Sequence, residues 1–374
     1  MEIYAYNIDG DHLTLDGLCE DWNELLWVRR FFKGDDFTIQ LPPTEKNIKL
    51  FSVGKVIEVA KLHPVTGASE HGGIITAISI SSGEKSALTI SGKSFDGMLE
   101  RRILADYTLG DTAMTIIRKN AGDLAKAKRR FWATVFNDTV DAAAYQAGQM
   151  LFRKLSNFTA NIASAKGWGL QSKIVHDKSN VHIEIGGRQC IDRSISQADV
   201  GRVVFSDEYG TAADFERQQS ENGAVTGVVV GSAKQYNENT HIDVEQSTNY
   251  FGDAQSYDRI ESFQSISPVT KKETRNKVEW EVLDDWGTFL AADELAAAEY
   301  VSATDYLGAS IILKDDWEKK LAIGDTVTIQ NTGWNVAVNK QVTEIREFWG
   351  ADNVTLTATL GEPPKTLSEI FKKG

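Results

Sequence analysis

The chain opens on a two-residue alternation of apolar and polar positions. A first strand-like run covers residues 3–8, Asp9-Gly10 supplies a two-residue hairpin signal, and Leu13 and Leu15 resume the alternation. Trp22, Leu25, Leu26 and Trp27 lead into Val28-Arg29-Arg30-Phe31-Phe32. After Gly34-Asp35-Asp36, the residues Phe37, Ile39 and Leu41 alternate strictly. Pro42-Pro43 ends that strand, because proline has no amide hydrogen to give to a ladder. Three more strand-like runs follow at 54–62, 73–80 and 87–92.

The pattern then changes. Asp111 is the expected N-cap of a helix through Ile116 and Ile117. Residues 140–165 carry alanines, Met150, Leu151, Leu155 and Ile162 with few glycines, which favours helix. Residues 173–185 alternate as a strand pair around Asp177-Lys178-Ser179-Asn180. Val203-Val204-Phe205-Ser206 reads as a short buried strand, and 225–230 as another after the Asn222-Gly223 turn. Residues 232–262 are polar and read as an exposed hairpin or loop. Residues 291–301 are helical in pattern, with Asp293 and Glu294 at the favourable end. Strands return over 311–360, and 367–371 suits a final short helix. The ends are β-rich and the middle is mixed.

One long-range repeat stands out. Gly54-Lys55-Val56-Ile57-Glu58-Val59 precedes Ile75-Thr76-Ala77-Ile78 and then Leu88-Thr89-Ile90-Ser91-Gly92. Gly324-Asp325-Thr326-Val327-Thr328-Ile329 precedes Val342-Thr343-Glu344-Ile345 and then Leu356-Thr357-Ala358-Thr359-Leu360-Gly361. Order and spacing match, so the chain is expected to hold two similar small β-barrels. A trimer would then present six similar domains.

Composition narrows the function classes. The 374 residues allow several domains, and 41% hydrophobic with 25% charged residues is ordinary for a globular protein. No apolar run is long enough to span a bilayer, and the N-terminus does not read as a signal peptide. With 53 acidic against 40 basic residues the net charge is −13, which argues against a general nucleic-acid binder. Cys19 and Cys190 are far apart with no CxxC spacing and read as free thiols.

The search for chemistry returns little. The six histidines form neither HExxH nor a close His/Cys pair, and there is no GxSxG elbow. His182-Ile183-Glu184 places two ligand types on one strand face, a common surface arrangement. Asp284-Asp285 and Asp315-Asp316 suit turns or caps better than acid/base work, since adjacent strand residues point to opposite faces. Lys126, Lys128, Arg129 and Arg130, followed by Phe131-Trp132, form the one basic cluster. The nine tryptophans suit core or interface anchors better than sugar platforms. No catalytic, cofactor or metal site is assigned.

Several of these motifs resemble those of one family. Trp27-Val28-Arg29-Arg30-Phe31 with Gly34-Asp35-Asp36-Phe37-Thr38-Ile39-Gln40-Leu41-Pro42 is similar to the opening of siphovirus tail-tip hub proteins. Gly73-Ile74-Ile75, Leu88-Thr89-Ile90-Ser91-Gly92-Lys93-Ser94 and Leu99-Glu100-Arg101-Arg102-Ile103 follow in the family's order. So do the segment 186–194, Val203-Val204-Phe205-Ser206, Asn222 with Gly227, and Leu321-Ala322-Ile323-Gly324-Asp325-Thr326-Val327. Residues 125–149 match no family pattern, and the sequence stops at Gly374 without the enzymatic extensions of some relatives.

The resemblance implies an α+β, β-rich fold in which two barrels form a ring in a homotrimer and two lateral mixed α/β domains decorate it. The expected division is 1–105 for the first barrel with return strands from 200–235, 106–199 and 236–304 for the lateral domains, and 305–374 for the second barrel. It also implies a structural role, without catalysis, at the virion's tail tip or baseplate, after assembly in the host cytoplasm. Implied partners are the distal tail ring, tail tube, tape-measure protein and downstream receptor-binding or fibre proteins. The alternatives are a receptor- or glycan-binding tip protein and a cell-wall hydrolase. Trp27, Arg29, Arg30 and Phe31 are the assembly candidates; in a strand the two arginines point to opposite faces, and one of them is expected to meet a carboxylate, within its own chain or across the ring. A channel that passes genomic DNA without gripping it should be acidic or neutral inside, with Glu58, Glu84, Asp325 and Glu344 as lining candidates and Lys126 to Arg130 off axis.

Overall fold

The computed structural model describes all residues except 11, 61–68, 84–85, 107, 109, 123–133, 138–151, 167, 178–179, 198–200, 221–226, 232–246, 251–259, 266–269, 276–277, 284–303, 315, 351–352 and 362–374. The expected helices at 291–301 and 367–371, the 125–133 and 138–149 segments with the basic cluster, and Glu84 lie outside the described residues.

The fold is mostly β-sheet. The opening strands are β1 (Ile3–Asp9), β2 (His12–Cys19), β3 (Glu24–Arg30) and β4 (Asp36–Leu41), followed by helix α1 (Glu45–Leu50). Next come β5 (Val56–Val59), β6 (Gly72–Ser81), β7 (Ala87–Ser94), α2 (Ala113–Ile117), β8 (Thr134–Asn137), α3 (Leu155–Lys166), β9 (Trp168–Asp177) and β10 (Asn180–Gln189). Then follow β11 (Val204–Ser206), β12 (Ala212–Ser220), β13 (Gly227–Gly231), β14 (Ser247–Tyr250), β15 (Glu261–Ser265), β16 (Thr270–Arg275) and β17 (Val278–Leu283). The last strands are β18 (Thr304–Ile312), β19 (Thr326–Asn331), β20 (Val336–Trp349) and β21 (Val354–Leu360).

Two compact units result, one of Met1–Phe215 with Gly308–Pro363 and one containing Glu216–Leu307. In the second, β13 pairs β14 antiparallel and β15 parallel, while β16 and β17 form a hairpin.

The first unit is built on one long sheet. Its strand order is β12-β18-β21-β20-β3-β4-β7-β6-β5-β1-β2-β10-β8, with β19 against β20, β11 against β19 and β9 against β10. The opening hairpin forms because Gly10 adopts φ 58°, a left-handed value that glycine reaches without a Cβ clash. In β4, Phe37, Ile39 and Leu41 are buried and alternate with half-buried neighbours. β5 is buried at every position because its faces serve two cores: Ile57 and Val59 pack with Trp27, Phe37 and Ile39, whereas Val56 packs with Phe95, Ile174 and Ile185. That second core also takes in Ile116, Ile117, Leu155 and Phe158. The 106–199 segment therefore shares a core with the opening strands and is no separate compact unit, contrary to the expected division. One cap also differs. Thr112, not Asp111, caps α2 by accepting from Thr115 N, while Asp111 accepts from Thr108 N and Lys119.

Within this sheet the same five-strand arrangement occurs twice. The first copy runs β3-β4-β7-β6-β5 and the second β12-β18-β21-β20-β19, and in both the strands follow the same chain order. The match extends to single hydrogen bonds. Gly54 N donates to Ile75 O at 2.9 Å, and Gly324 N to Val342 O at 2.8 Å. The returns are Ile75 N to Lys55 O and Val342 N to Asp325 O, both 2.9 Å. Lys55 N to Ser52 O corresponds to Asp325 N to Ala322 O. Each long strand then bulges at the next residue, between Ile75 and Ala77 and between Val342 and Glu344. At each bulge a threonine hydroxyl, Thr76 or Thr343, donates to the carbonyl of Ser91 or Thr359. Gly54 and Gly324 share a positive φ, 94° and 92°. β11 and β12 pair with β19 and β18, so these strands belong with the second copy and not, as expected, with the first.

The two glycines should respond differently to one methyl group. A Cβ at Gly54 meets nothing within 4 Å, so Gly54→Ala should cost only backbone strain, about 1–3 kcal/mol. A Cβ at Gly324 would lie 2.5 Å from the Phe31 ring and 2.6 Å from Cys190 Sγ, so overpacking adds about 1–3 kcal/mol more. Denaturant unfolding should rank Gly324→Ala clearly below Gly54→Ala in stability; equal losses would contradict this account.

Candidate functional site

The two copies meet where β3 pairs with β20, in register from Glu344 opposite Arg30 to Trp349 opposite Leu25. Alternation along β3 sends Trp27, Arg29 and Phe31 to one side and Val28 and Arg30 to the other. On the first side, Trp27 stacks on Phe37 with ring centres 5.0 Å apart and donates through Nε1 to Asp35 Oδ2 at 3.1 Å. The His71 ring lies edge-on to both Trp27 and Trp349, and its Nε2 is 2.7 Å from Glu347 Oε2. Arg29, only 4% exposed, donates to Glu70 and to Glu318 Oε1 at 3.2 Å, with its guanidinium 5.5 Å from the Trp317 ring centre. Glu70 also accepts from Arg188 Nη2 at 2.9 Å. Asp35 accepts from Arg30 N at 3.0 Å, and Asp96 from Ser172 Oγ at 2.6 Å.

This is a charged core with an excess of acid. Arg29 and Arg188 stand among Asp35, Glu70, Asp96, Glu318 and Glu347. Withdrawal from water works against the Arg29 charge, yet Glu70, Glu347, Asp35 and Glu318 together hold its pKa above the usual value. Arg188 is pulled down, because burial outweighs the attraction of Glu70. Burial, and then the charge of Asp96, push Asp35 up to about 7. Burial likewise raises Asp96. A cavity of about 20 Å³ lies among Arg29, Asp35, Glu70, Asp96 and Arg188, space on the scale of one water and no substrate. The arrangement joins strands of the two copies.

The sequence candidates fall as follows. Trp27, Arg29 and Phe31 are buried within the chain at this seam. Arg30, on the other side of β3, donates to Asp36 and to Glu344 Oε2 at 2.9 Å. Glu344 is thus an ion-pair partner across the two copies. Glu58 and Asp325 need correcting as channel-lining residues, because both are buried and their oxygens are occupied. Glu58, 3% exposed, accepts from Tyr6 Oη at 2.6 Å and lies 2.9 Å from His176 Nε2. Asp325, fully buried, accepts from Ile191 N, Ala322 N and Arg193 Nε at 2.7–3.0 Å. Cys19 and Cys190 are free thiols, and burial pushes each up to about 12. His71, Glu70, Glu318, Glu347, Asp35, Asp96 and Arg188 were not singled out from sequence as seam residues.

The comparisons with known proteins bear on this duplicated, ion-locked sheet. Residues 1–362 match the family described as siphovirus ReqiPepy6 Gp37-like protein. The chain belongs to that family. No curated protein sequence matches this Gp37-like chain. Among the solved structures that share its fold are the following three. The tail protein from Neisseria meningitidis MC58 is 13% identical with a TM-score of 0.53, over 96% of each chain. The 43 kDa tail protein of prophage MuSo2 from Shewanella oneidensis is 10% identical with a TM-score of 0.53, over 97% of this chain and 99% of that one. A chain of the p2 virion baseplate in its activated conformation is 11% identical with a TM-score of 0.51, over 98% of this chain and all of the other.

Two outcomes follow from the seam. Arg29→Ala leaves buried carboxylates uncompensated and should cost about 3–5 kcal/mol. Arg30→Ala, in a half-exposed pair, should cost about 1 kcal/mol or less; denaturant unfolding measures both. The second concerns pH. Asp35 is raised when folded, so its contribution is fully present below the unfolded carboxylate range and is lost as pH rises through about 7. The melting temperature should therefore fall as pH rises from about 4 to about 7 and level off above that, and Asp35→Asn should flatten that slope. An unchanged slope in Asp35→Asn would refute the assignment.

Proposed function

We propose that this chain is the structural hub of a phage tail tip or baseplate: a homotrimeric ring at the distal end of the tail tube that guides or closes the tail channel. The observation that carries this reading is the duplication. One chain holding the same five-strand unit twice lets a threefold assembly present six similar units, which suits a joint to a sixfold tube. The fold shared with tail and baseplate proteins agrees with it. Its partners in this reading are the distal tail ring, the tube, the tape-measure protein and receptor-binding or fibre proteins below.

The role is mechanical and not enzymatic, since the buried charges are consumed in holding strands. The net charge of −13 fits a channel through which DNA passes without a cationic grip. Glu58 and Asp325 do not contribute to such a wall.

The test is the position and copy number of this chain in assembled particles, together with its mass in solution. Three copies around the tail axis at the distal end of the tube are expected. A peripheral position with binding to host glycans would favour the receptor-binding alternative. Peptidoglycan turnover abolished by one side-chain change would favour a hydrolase.

A further inference from the structure

We infer that the outer edge of β6, at residues 77–80, receives strand β12 of a second copy of this chain. This rests on the ring reading above and names the contact that closes the ring.

The edge is open along a defined stretch. β5 pairs with β6 only over Gly72–Ile74, and β7 takes the other side from Gly73 to Ser81. Beyond the bulge at Ile75, no strand among the described residues pairs with the outer side of β6. The sequence there, Ala77-Ile78-Ser79-Ile80-Ser81, has no charge and no proline, and the Ile80 side chain is 56% exposed. Solvent-facing edges are ordinarily blunted by lysine, proline or a covering segment. An uncharged edge carrying Ile78 and Ile80, with no covering strand among the described residues, fits a strand that has a partner.

The second copy of the five-strand unit identifies the partner. Its counterpart of β6 is β20, and the matching stretch of β20 is occupied by β3. Phe31 N donates to Thr343 O at 3.0 Å, so alternation turns the amides and carbonyls of Ile345, Glu347 and Trp349 toward β3. The equivalents of Ile345 and Glu347 are Ile78 and Ile80, whose amides and carbonyls therefore point to the open side. The counterpart of β3 is β12, and β12 ends the sheet. Among the described residues, each chain thus carries an acceptor edge at Ile78 and Ile80 of β6 and, at residues 212–215 of β12, an end of the sheet with a strand paired on one side only. The β3–β20 ladder inside the chain is the template for the β12–β6 ladder between chains. Such a contact is head-to-tail and closes when the copies form a ring.

Amide exchange and mass, measured across a dilution series of the full chain, test this directly. On association, the amides of Ile78 and Ile80 and those of residues 212–215 should gain protection together, by at least tenfold. Ile80→Pro removes an amide that no described strand of the same chain uses, and it should keep the wild-type circular dichroism while shifting the mass to a single chain. If Ile80→Pro fails to fold, the wild-type exchange pattern still decides. An oligomer of unchanged mass in folded Ile80→Pro, with Ile78 and Ile80 unprotected in the wild type, would overturn this contact and leave the hub reading standing. Protection of β6 without β12, or only on adding another tail protein, would overturn the second-copy assignment. A wild-type chain that stays single at every concentration would overturn both.

Discussion

The ladder between β3 and β20 is the constraint on which the rest of the sheet depends. β3 must serve β4 of its own copy on one edge and β20 of the other copy on the second. Its Arg29 is buried, and a buried guanidinium is tolerated only where carboxylates surround it. Those carboxylates come from far along the chain, with Glu318 lying 289 residues away. Such pairs add little net stability over an apolar core of the same shape, but they are unforgiving of position. A one-residue slip of β20 would move Glu347 away from His71 and present the wrong face to the core. The seam therefore fixes register more than it adds strength.

The burial of β5 extends this logic to the helical segment. Because Val56 and Ile57 face different cores, the sheet's opening strands are covered on both sides, and α2, α3, β9 and β10 supply one of the covers. This explains why residues 106–199 merge with the first strands. An alternating surface can stop at one layer; a strand apolar at successive positions needs two.

What sequence could reveal follows the range of the interactions involved. The opening hairpin, the alternation at Phe37, Ile39 and Leu41, and the paired glycines at 54 and 324 are local signals, and the structure forms those elements where they were read. β12 is not legible in the sequence, because Ala212-Ala213-Asp214-Phe215-Glu216-Arg217 has no strong alternation, and the 200–235 region joins the second copy because its pairing is set by β18 and β19, far along the chain. Thr112 and Asp111 are both good caps, and propensity could not choose between neighbours. The acids were the hardest. Asp325 reads as a channel-lining candidate in sequence, and its burial is explained by Ile191 N and Arg193 Nε, more than 130 positions earlier, together with Ala322 N.

The duplicated units differ in what their first joint must hold. Between the first two strands of the unit, one copy has the short joint 31–35, while the other departs through 221–303 before resuming at β18. The short joint holds Phe31, packed against Gly324, and Asp35, bonded to Trp27 and Arg30. An insertion there would pull both from the seam, whereas the counterpart already tolerates a long one. A module fused at the 221–303 joint should therefore leave the lock that holds the sheet untouched, whereas one fused at 31–35 should not.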